Sequence, residues 1–161
     1  MPKIQPFLWF DTQAEDAAKF YTSIFKNAKI NSTSYYGEGA PKPAGSVMTV
    51  SFELDGQHFI ALNGGSNFKF NESVSFLISA ETQDEIDHFW DKLTEGGEES
   101  MCGWLKDKFG VSWQVVPPLL GKYLSDSNSS VRARVMQAMY GMKKIIIADL
   151  EAAYNSGAGE K

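Results

Sequence analysis

The chain of 161 residues has one cysteine, Cys102, and two histidines, His58 and His88. A single thiol excludes an internal disulfide and fits a reducing compartment. Two imidazoles leave little material for a metal site built on histidine. Basic charge is also short: 15 Lys and Arg stand against 20 Asp and Glu, a net charge of −5. That balance argues against nucleic acid and anionic membrane as partners, since both need basic surfaces. No apolar run approaches the roughly 18 residues of a membrane span. The opening MPKIQPFLWF lacks the long apolar segment of a secretory signal. The expected location is therefore the cytoplasm. Familiar catalytic signatures are missing too: there is no G-x-S-x-G elbow, no H-E-x-x-H and no phosphate-binding G-x-x-x-x-G-K loop.

What is present is enough apolar material for one compact domain, with 43% hydrophobic and 13% aromatic residues. Its informative feature is an internal repeat. Phe7-Leu8-Trp9 precedes a helical pattern over Thr12 to Phe25, and Phe76-Leu77-Ile78 precedes another over Thr82 to Leu93. Phe20, Tyr21 and Ile24 match Phe89, Trp90 and Leu93 at a constant offset of 69. Each helix opens with the spacing of a capping box, Thr12-x-x-Glu15 and Thr82-x-x-Glu85, and these are offset by 70. After the first helix come strand patterns at Lys29–Tyr36, Val47–Leu54 and His58–Asn63, the last two joined by the hairpin signal Asp55-Gly56-Gln57. After the second come a weak strand near Met101–Lys106 and a clear one at Ser112–Val116, joined by Asp107-Lys108-Phe109-Gly110. Each half reads βαβββ. The reading is a single domain over 1–161: a first module over 1–65, a second over 72–117, and a helical tail over 118–161. In the tail, Val131, Val135, Ala138, Met139 and Met142 have helical spacing, with Ser129 or Ser130 as N-cap. Residues 145–154 form a shorter helix, and Asn155 to Lys161 fray.

Strand side chains alternate between two faces. Met48, Val50, Phe52 and Leu54 form a fully apolar face, and the opposite face mixes small hydroxyls, an amide and aliphatics. A mixed face suits a small-molecule pocket, although the same alternation also describes a sheet with one wet side. The candidate pocket residues are Leu8, Phe10, Thr49, Ser51, Ile60, Leu62, Ser75, Leu77 and Gln114. Phe7, Trp9, Phe59 and Trp113 are read as packing under the helices, with Tyr21 and Trp90 in the core. Cys102 reads as a buried structural thiol, and Glu53 and Asp107 as water-facing carboxylates at hairpin ends. No catalytic residue is assigned.

Four segments, PFLWFDTQAEDAAKFYTSIF, VMTVSFELDGQHFIALNGG, CGWLKDKFGVSWQVVP and VMQAMYGMKKI, spread along most of the chain from residue 6 to residue 145, closely resemble the PhnB-like branch of the vicinal-oxygen-chelate superfamily. Its members often carry the label 3-demethylubiquinone-9 3-methyltransferase. The resemblance implies an α+β fold of paired βαβββ modules, the glyoxalase/bleomycin-resistance-like fold, here with a C-terminal helical extension. It also implies a homodimer. Superfamily enzymes such as glyoxalase I and extradiol dioxygenases hold a divalent metal on His and Glu from the first and last strands of the modules. Bleomycin-resistance proteins instead bind a drug in a metal-free cup.

In this chain the Glu position of the last strand is Gln114, and the second module's His position falls among Ser73, Val74 and Ser75. The first module offers Ile4 to Leu8 and Ile60. None of these is a good metal ligand. Methyl transfer lacks its motif as well: Gly37-Glu38-Gly39 runs into Ala-Pro-Lys-Pro, and Gly64-Gly65 is followed by another strand rather than a helix. At the tail, the family's Lys-Lys-Ile-Asp-Ile becomes Lys-Lys-Ile-Ile-Ile over 143–147, so the Asp that would cap the last helix is gone. The reading that follows is a binding module with no cofactor, whose partner is a small molecule. The alternatives are a superfamily enzyme of unidentified reaction or a methyltransferase.

Overall fold

A computed structural model describes residues 4–156, so the fraying assigned to the last residues lies, for 157–161, outside the described residues. The chain divides into two compact units, Met1–Phe70 and Asn71–Lys161. The boundary falls in the linker over 64–74 that joins the strands of the two units.

The first unit contains β1 (Phe7–Phe10), α1 (Ala14–Ile24), β2 (Ala28–Tyr35), β3 (Val47–Leu54) and β4 (Gln57–Asn63), with sheet order β1-β4-β3-β2. The second contains β5 (Ser75–Ser79), α2 (Gln83–Thr94), β6 (Glu98–Glu99), β7 (Trp104–Lys106) and β8 (Ser112–Val116), with order β5-β8-β7-β6. In both, the first strand runs parallel to the last and the remaining pairs are antiparallel. The two units share one topology, so the βαβββ repeat is a structural fact. The weak strand read near Met101–Lys106 is β7, confined to Trp104–Lys106 because Met101–Cys102–Gly103 turn sharply before it, with Cys102 and Gly103 both at positive φ, and the two-residue β6 at Glu98–Glu99 precedes that turn.

One face of each sheet is covered by its helix. Ala17, Ala18, Tyr21 and Ile24 of α1 are buried, as are Val50, Phe52, Leu54, Phe59 and Ala61 of the strands. Tyr21 stacks on Phe52, and Phe52 on Phe59. In the second unit Ile86, Trp90 and Leu93 of α2 are buried, together with Ile78, Leu105, Trp113 and Val115. Phe59, Trp113, Tyr21 and Trp90 are thus core residues, as their positions in the pattern indicate.

The helix starts differ. Thr82 caps α2 as expected: its hydroxyl accepts the Glu85 N–H at 3.2 Å, and the Glu85 carboxylate accepts the Thr82 N–H. The corresponding box at Thr12 does not form. Helix α1 begins two residues later than Thr12, and Asn63 from β4 accepts the Ala14 N–H at 2.8 Å while donating to the Val47 carbonyl. A side chain distant in sequence takes the place of the local cap.

The tail contains α3 (Pro118–Leu124), α4 (Ser129–Tyr140) and α5 (Ile147–Asn155). Helix α3 was not apparent in the sequence, and the cap of α4 is Asn128, whose side chain accepts the Ser130 N–H. Helix α5 lacks a cap of its own. Gln83, on α2, supplies one by accepting the Ile147 N–H at 2.9 Å and donating to the Ile145 carbonyl at 3.1 Å. Residues 142–145 lie along the Cys102 turn, through bonds from the Cys102 and Gly103 N–H groups to the Met142 and Lys143 carbonyls. Gly103 is required there, because a Cβ would stand 2.8 Å from the Val115 carbonyl oxygen. Among the described residues no helix is long and apolar enough to cross a membrane.

Asp107 corrects the water-facing assignment. It is 3% exposed, and its carboxylate accepts the N–H groups of Phe109 and Val111 and the indole N–H of Trp113 at 2.9–3.0 Å. Asp107→Asn would turn an amide N–H toward that indole N–H. The expected loss, read from the urea midpoint, is about 2 kcal/mol, the cost of an unsatisfied buried donor. At the tail, Asp126 accepts the Asn128 N–H and the Tyr154 hydroxyl, which hold its carboxyl below the ordinary aspartate range. The same contact holds the Tyr154 phenol above the ordinary tyrosine value. Its stabilising contribution is lost as pH falls through the lowered Asp126 value, and again as pH rises through the raised Tyr154 value. A tyrosine-absorbance titration should therefore show one late-ionising phenol that disappears in Tyr154→Phe.

Candidate functional site

The uncovered face of each sheet carries the candidate residues. Strand register aligns Trp9, Leu62, Thr49 and Ser34 in one row of the first sheet, and Phe7, Ile60, Ser51 and Ser32 in the next. The Ser34 and Thr49 hydroxyls are bonded at 2.6 Å. In the second sheet one row is Leu77, Gln114 and Trp104, and the next is Ser75, Ser112, Lys106 and Glu98. Gln114 donates from its amide to the Ser75 hydroxyl at 2.9 Å, and Leu77 beside it is 59% exposed.

Seven of the nine predicted residues therefore lie on open faces: Thr49, Ser51, Ile60, Leu62, Ser75, Leu77 and Gln114. Leu8 and Phe10 do not. They are 7% and 3% exposed on the helix-covered side, while Phe7 and Trp9 take the open side and Phe7 is 56% exposed. The cause is the pairing of β1 with β4: Phe7 and Trp9 stand opposite Ile60 and Leu62 and share their face, which turns Leu8, opposite the buried Ala61, and Phe10 to the helix-covered side.

Trp9 is held on the open side by the linker. Its indole N–H donates to the Gly65 carbonyl at 2.8 Å, Phe68 packs edge-on at 5.0 Å, and a Cβ at Gly64 would stand 2.3 Å from the ring. Cys102 is half-buried rather than buried, in a left-handed backbone conformation with φ 59°. A separate hollow of about 360 Å³ lies at the start of α1, lined by Asp11, Glu15, Tyr36, Lys42 and Asn63 among others. It adjoins the helix end rather than the open face.

These faces do not suit the divalent metal that the superfamily resemblance implies. The open-face positions at the first and last strands hold Phe7, Ile60, Leu77 and Gln114, with Ser75 adjoining. Aliphatic, aromatic, amide and hydroxyl groups do not fit a divalent cation that prefers imidazole and carboxylate. His58 and Glu53 do meet on the first open face at 3.5 Å, but as a pair without a third ligand. Among the described residues no group of three His, Cys, Asp or Glu could hold a metal ion.

A family model described as 3-demethylubiquinone-9 3-methyltransferase matches residues 2–116. A Bacillus cereus protein described as a PhnB protein of that kind is 38% identical, with 72% of this chain and 99% of that one covered at a TM-score of 0.66. The chain belongs to this family. Other solved structures share the fold at lower identity. A Pseudomonas aeruginosa protein is 20% identical, covering 71% of this chain and 96% of its own at a TM-score of 0.60. A fosfomycin resistance protein of Listeria monocytogenes is 16% identical, covering 78% and 98% at 0.53. No curated protein matches. At these identities the likenesses show a shared fold, the α+β arrangement of two βαβββ modules. The methyltransferase label is a family name without structural support here, because neither sheet is the doubly wound parallel sheet on which S-adenosylmethionine usually binds.

The face assignment is directly testable. Leu8→Asp puts a charge under α1 and should abolish cooperative thermal unfolding, since an unpaired buried charge costs several kcal/mol. Phe7→Ser, one residue away, should leave the midpoint within a few degrees, as exposed substitutions usually do. Equal effects at both positions would contradict the register.

Proposed function

We propose that this protein binds a small, mostly apolar molecule carrying a few hydrogen-bonding groups on the open faces of its sheets. The proposed form is a cytoplasmic homodimer without a metal of the superfamily kind. The observation that carries the reading is the row Leu77–Gln114–Trp104, an exposed aliphatic and an indole flanking an amide already oriented by Ser75. With its N–H engaged by Ser75, Gln114 offers its carbonyl oxygen to a ligand donor. The surrounding Leu and Trp surface supplies the apolar burial that drives association. Thr49, Ser51, Ile60 and Leu62 offer the comparable surface on the first sheet. Exposed apolar side chains at Phe7 and Leu77 are the surface that a second copy or a ligand would cover.

Native mass spectrometry of freshly purified protein should show twice the monomer mass with an organic molecule bound. Gln114→Ala should weaken recapture of that molecule about fivefold, the worth of one hydrogen bond. A monomer without a bound molecule, or one stoichiometric metal ion per chain, would contradict the proposal.

A further inference from the structure

A second hollow, of about 120 Å³, opens beside the uncovered face of the second sheet, lined by Glu72, Glu98, Ser100, Trp104, Lys106 and Ser112 among others. Ser112 is 2% exposed, and its hydroxyl has no hydrogen-bond partner within the protein. Buried hydroxyls are nearly always paired, so an unpaired one lining a hollow marks a place where a polar group is accommodated.

The lining charges decide which group. Glu72 is paired with Lys106, and their hydrogen bond lowers the Glu72 carboxyl and raises the Lys106 ammonium from their ordinary values. Glu99, which also lines the hollow, accepts the Trp90 indole N–H and pairs with Lys143 at 3.4 Å. Glu98 stands across the strand pair from Lys106 with no ion pair of its own among the described residues. Glu98 also acts on Lys106, so the lining sets three carboxylates against one ammonium, with Lys143 paired to Glu99 beside it, and the excess of negative charge repels anions and attracts a cation. A divalent metal is not the match, because no three-ligand group exists among the described residues. The volume corresponds to about four water molecules, at roughly 30 Å³ each.

From these features we infer that the hollow is a subsite for a small primary alkylammonium group. Its N–H donors would reach the Ser112 hydroxyl and the Glu98 carboxylate, and its alkyl end would lie against the Trp104 ring. The Lys106–Glu72 pair, whose side chains are 32% and 64% exposed, is a surface ion pair. Such pairs hold weakly and can part to admit a ligand. The inference does not rest on the apolar ligand proposed above: the hollow shares Trp104 with that surface, but its polar partners Ser112 and Glu98 belong to the neighbouring row of the sheet and take a different chemistry.

The test is an amide chemical-shift titration of the full chain with ethylammonium chloride, against sodium chloride and tetramethylammonium chloride as matched salts. Ethylammonium should give saturable shifts at Ser112, Trp104 and Lys106. Tetramethylammonium, which has no N–H, should not. Ser112→Ala removes an unpartnered atom and should remain fully folded, while weakening ethylammonium about tenfold, as loss of a hydrogen bond to a charged group does. Glu98→Gln should weaken it several-fold as an independent check. Shifts that follow ionic strength alike for all three salts, as a hollow filled by water would give, overturn the inference. So does an ethylammonium affinity unchanged in both variants.

Discussion

The second sheet is organised around one buried carboxylate. Asp107 sits at the turn between β7 and β8 and binds two backbone N–H groups of that turn and the indole of Trp113. A charged acceptor in so dry a place is stable because its donors are fixed and close. By binding both the turn and the first core residue of β8, it sets which way that strand faces. Trp113 and Val115 then point under α2, and Ser112 and Gln114 must point away. Had the turn slipped by one residue, Ser112 and Gln114 would lie under α2 and the indole would turn to the other face.

The first unit reaches the same topology by other means. Its β3–β4 turn is Asp55-Gly56, with both residues at positive φ, a geometry that closes a two-residue hairpin without a buried charge. Asn63 at the end of β4 then anchors the start of α1, a task that Thr82 performs locally in the second unit. Equivalent elements are thus held by unlike contacts. The open faces diverge as well: the first strand pairs Phe7 with Ile60 and Trp9 with Leu62 in one unit, and Ser75 with Ser112 and Leu77 with Gln114 in the other. The amide belongs to the second sheet, and the first offers mainly apolar and hydroxyl surface.

Much of this architecture was legible in the residues. The repeat, the hairpin at Asp55-Gly56, the strands Val47–Leu54 and Ser112–Val116 and the buried Tyr21 and Trp90 follow from local pattern, because alternation and helical spacing report burial directly. The errors arose where a distant contact replaced a local rule. Thr12 has the spacing of a cap, but Asn63 occupies the site. Asp107 has the position of a wet turn residue, but Trp113 folds back onto it. In β1, four residues of nearly unbroken hydrophobicity, Phe7 to Phe10, carry no alternation from which a face could be chosen. Its direction was fixed by pairing with β4, which the segment itself does not encode. The cap of α5 by Gln83 was hidden for the same reason, with the two partners 64 residues apart.

The central claim is that the faces left uncovered by α1 and α2 receive the ligand. Amide chemical-shift mapping with a small apolar dye tests it most directly. The account predicts saturable shifts concentrated at Thr49, Ile60, Leu62, Leu77 and Gln114, with Val50, Phe52, Trp113 and Val115 nearly silent. Shifts confined to the tail, around Met136 and Tyr140, with the open-face strands unmoved, would contradict it.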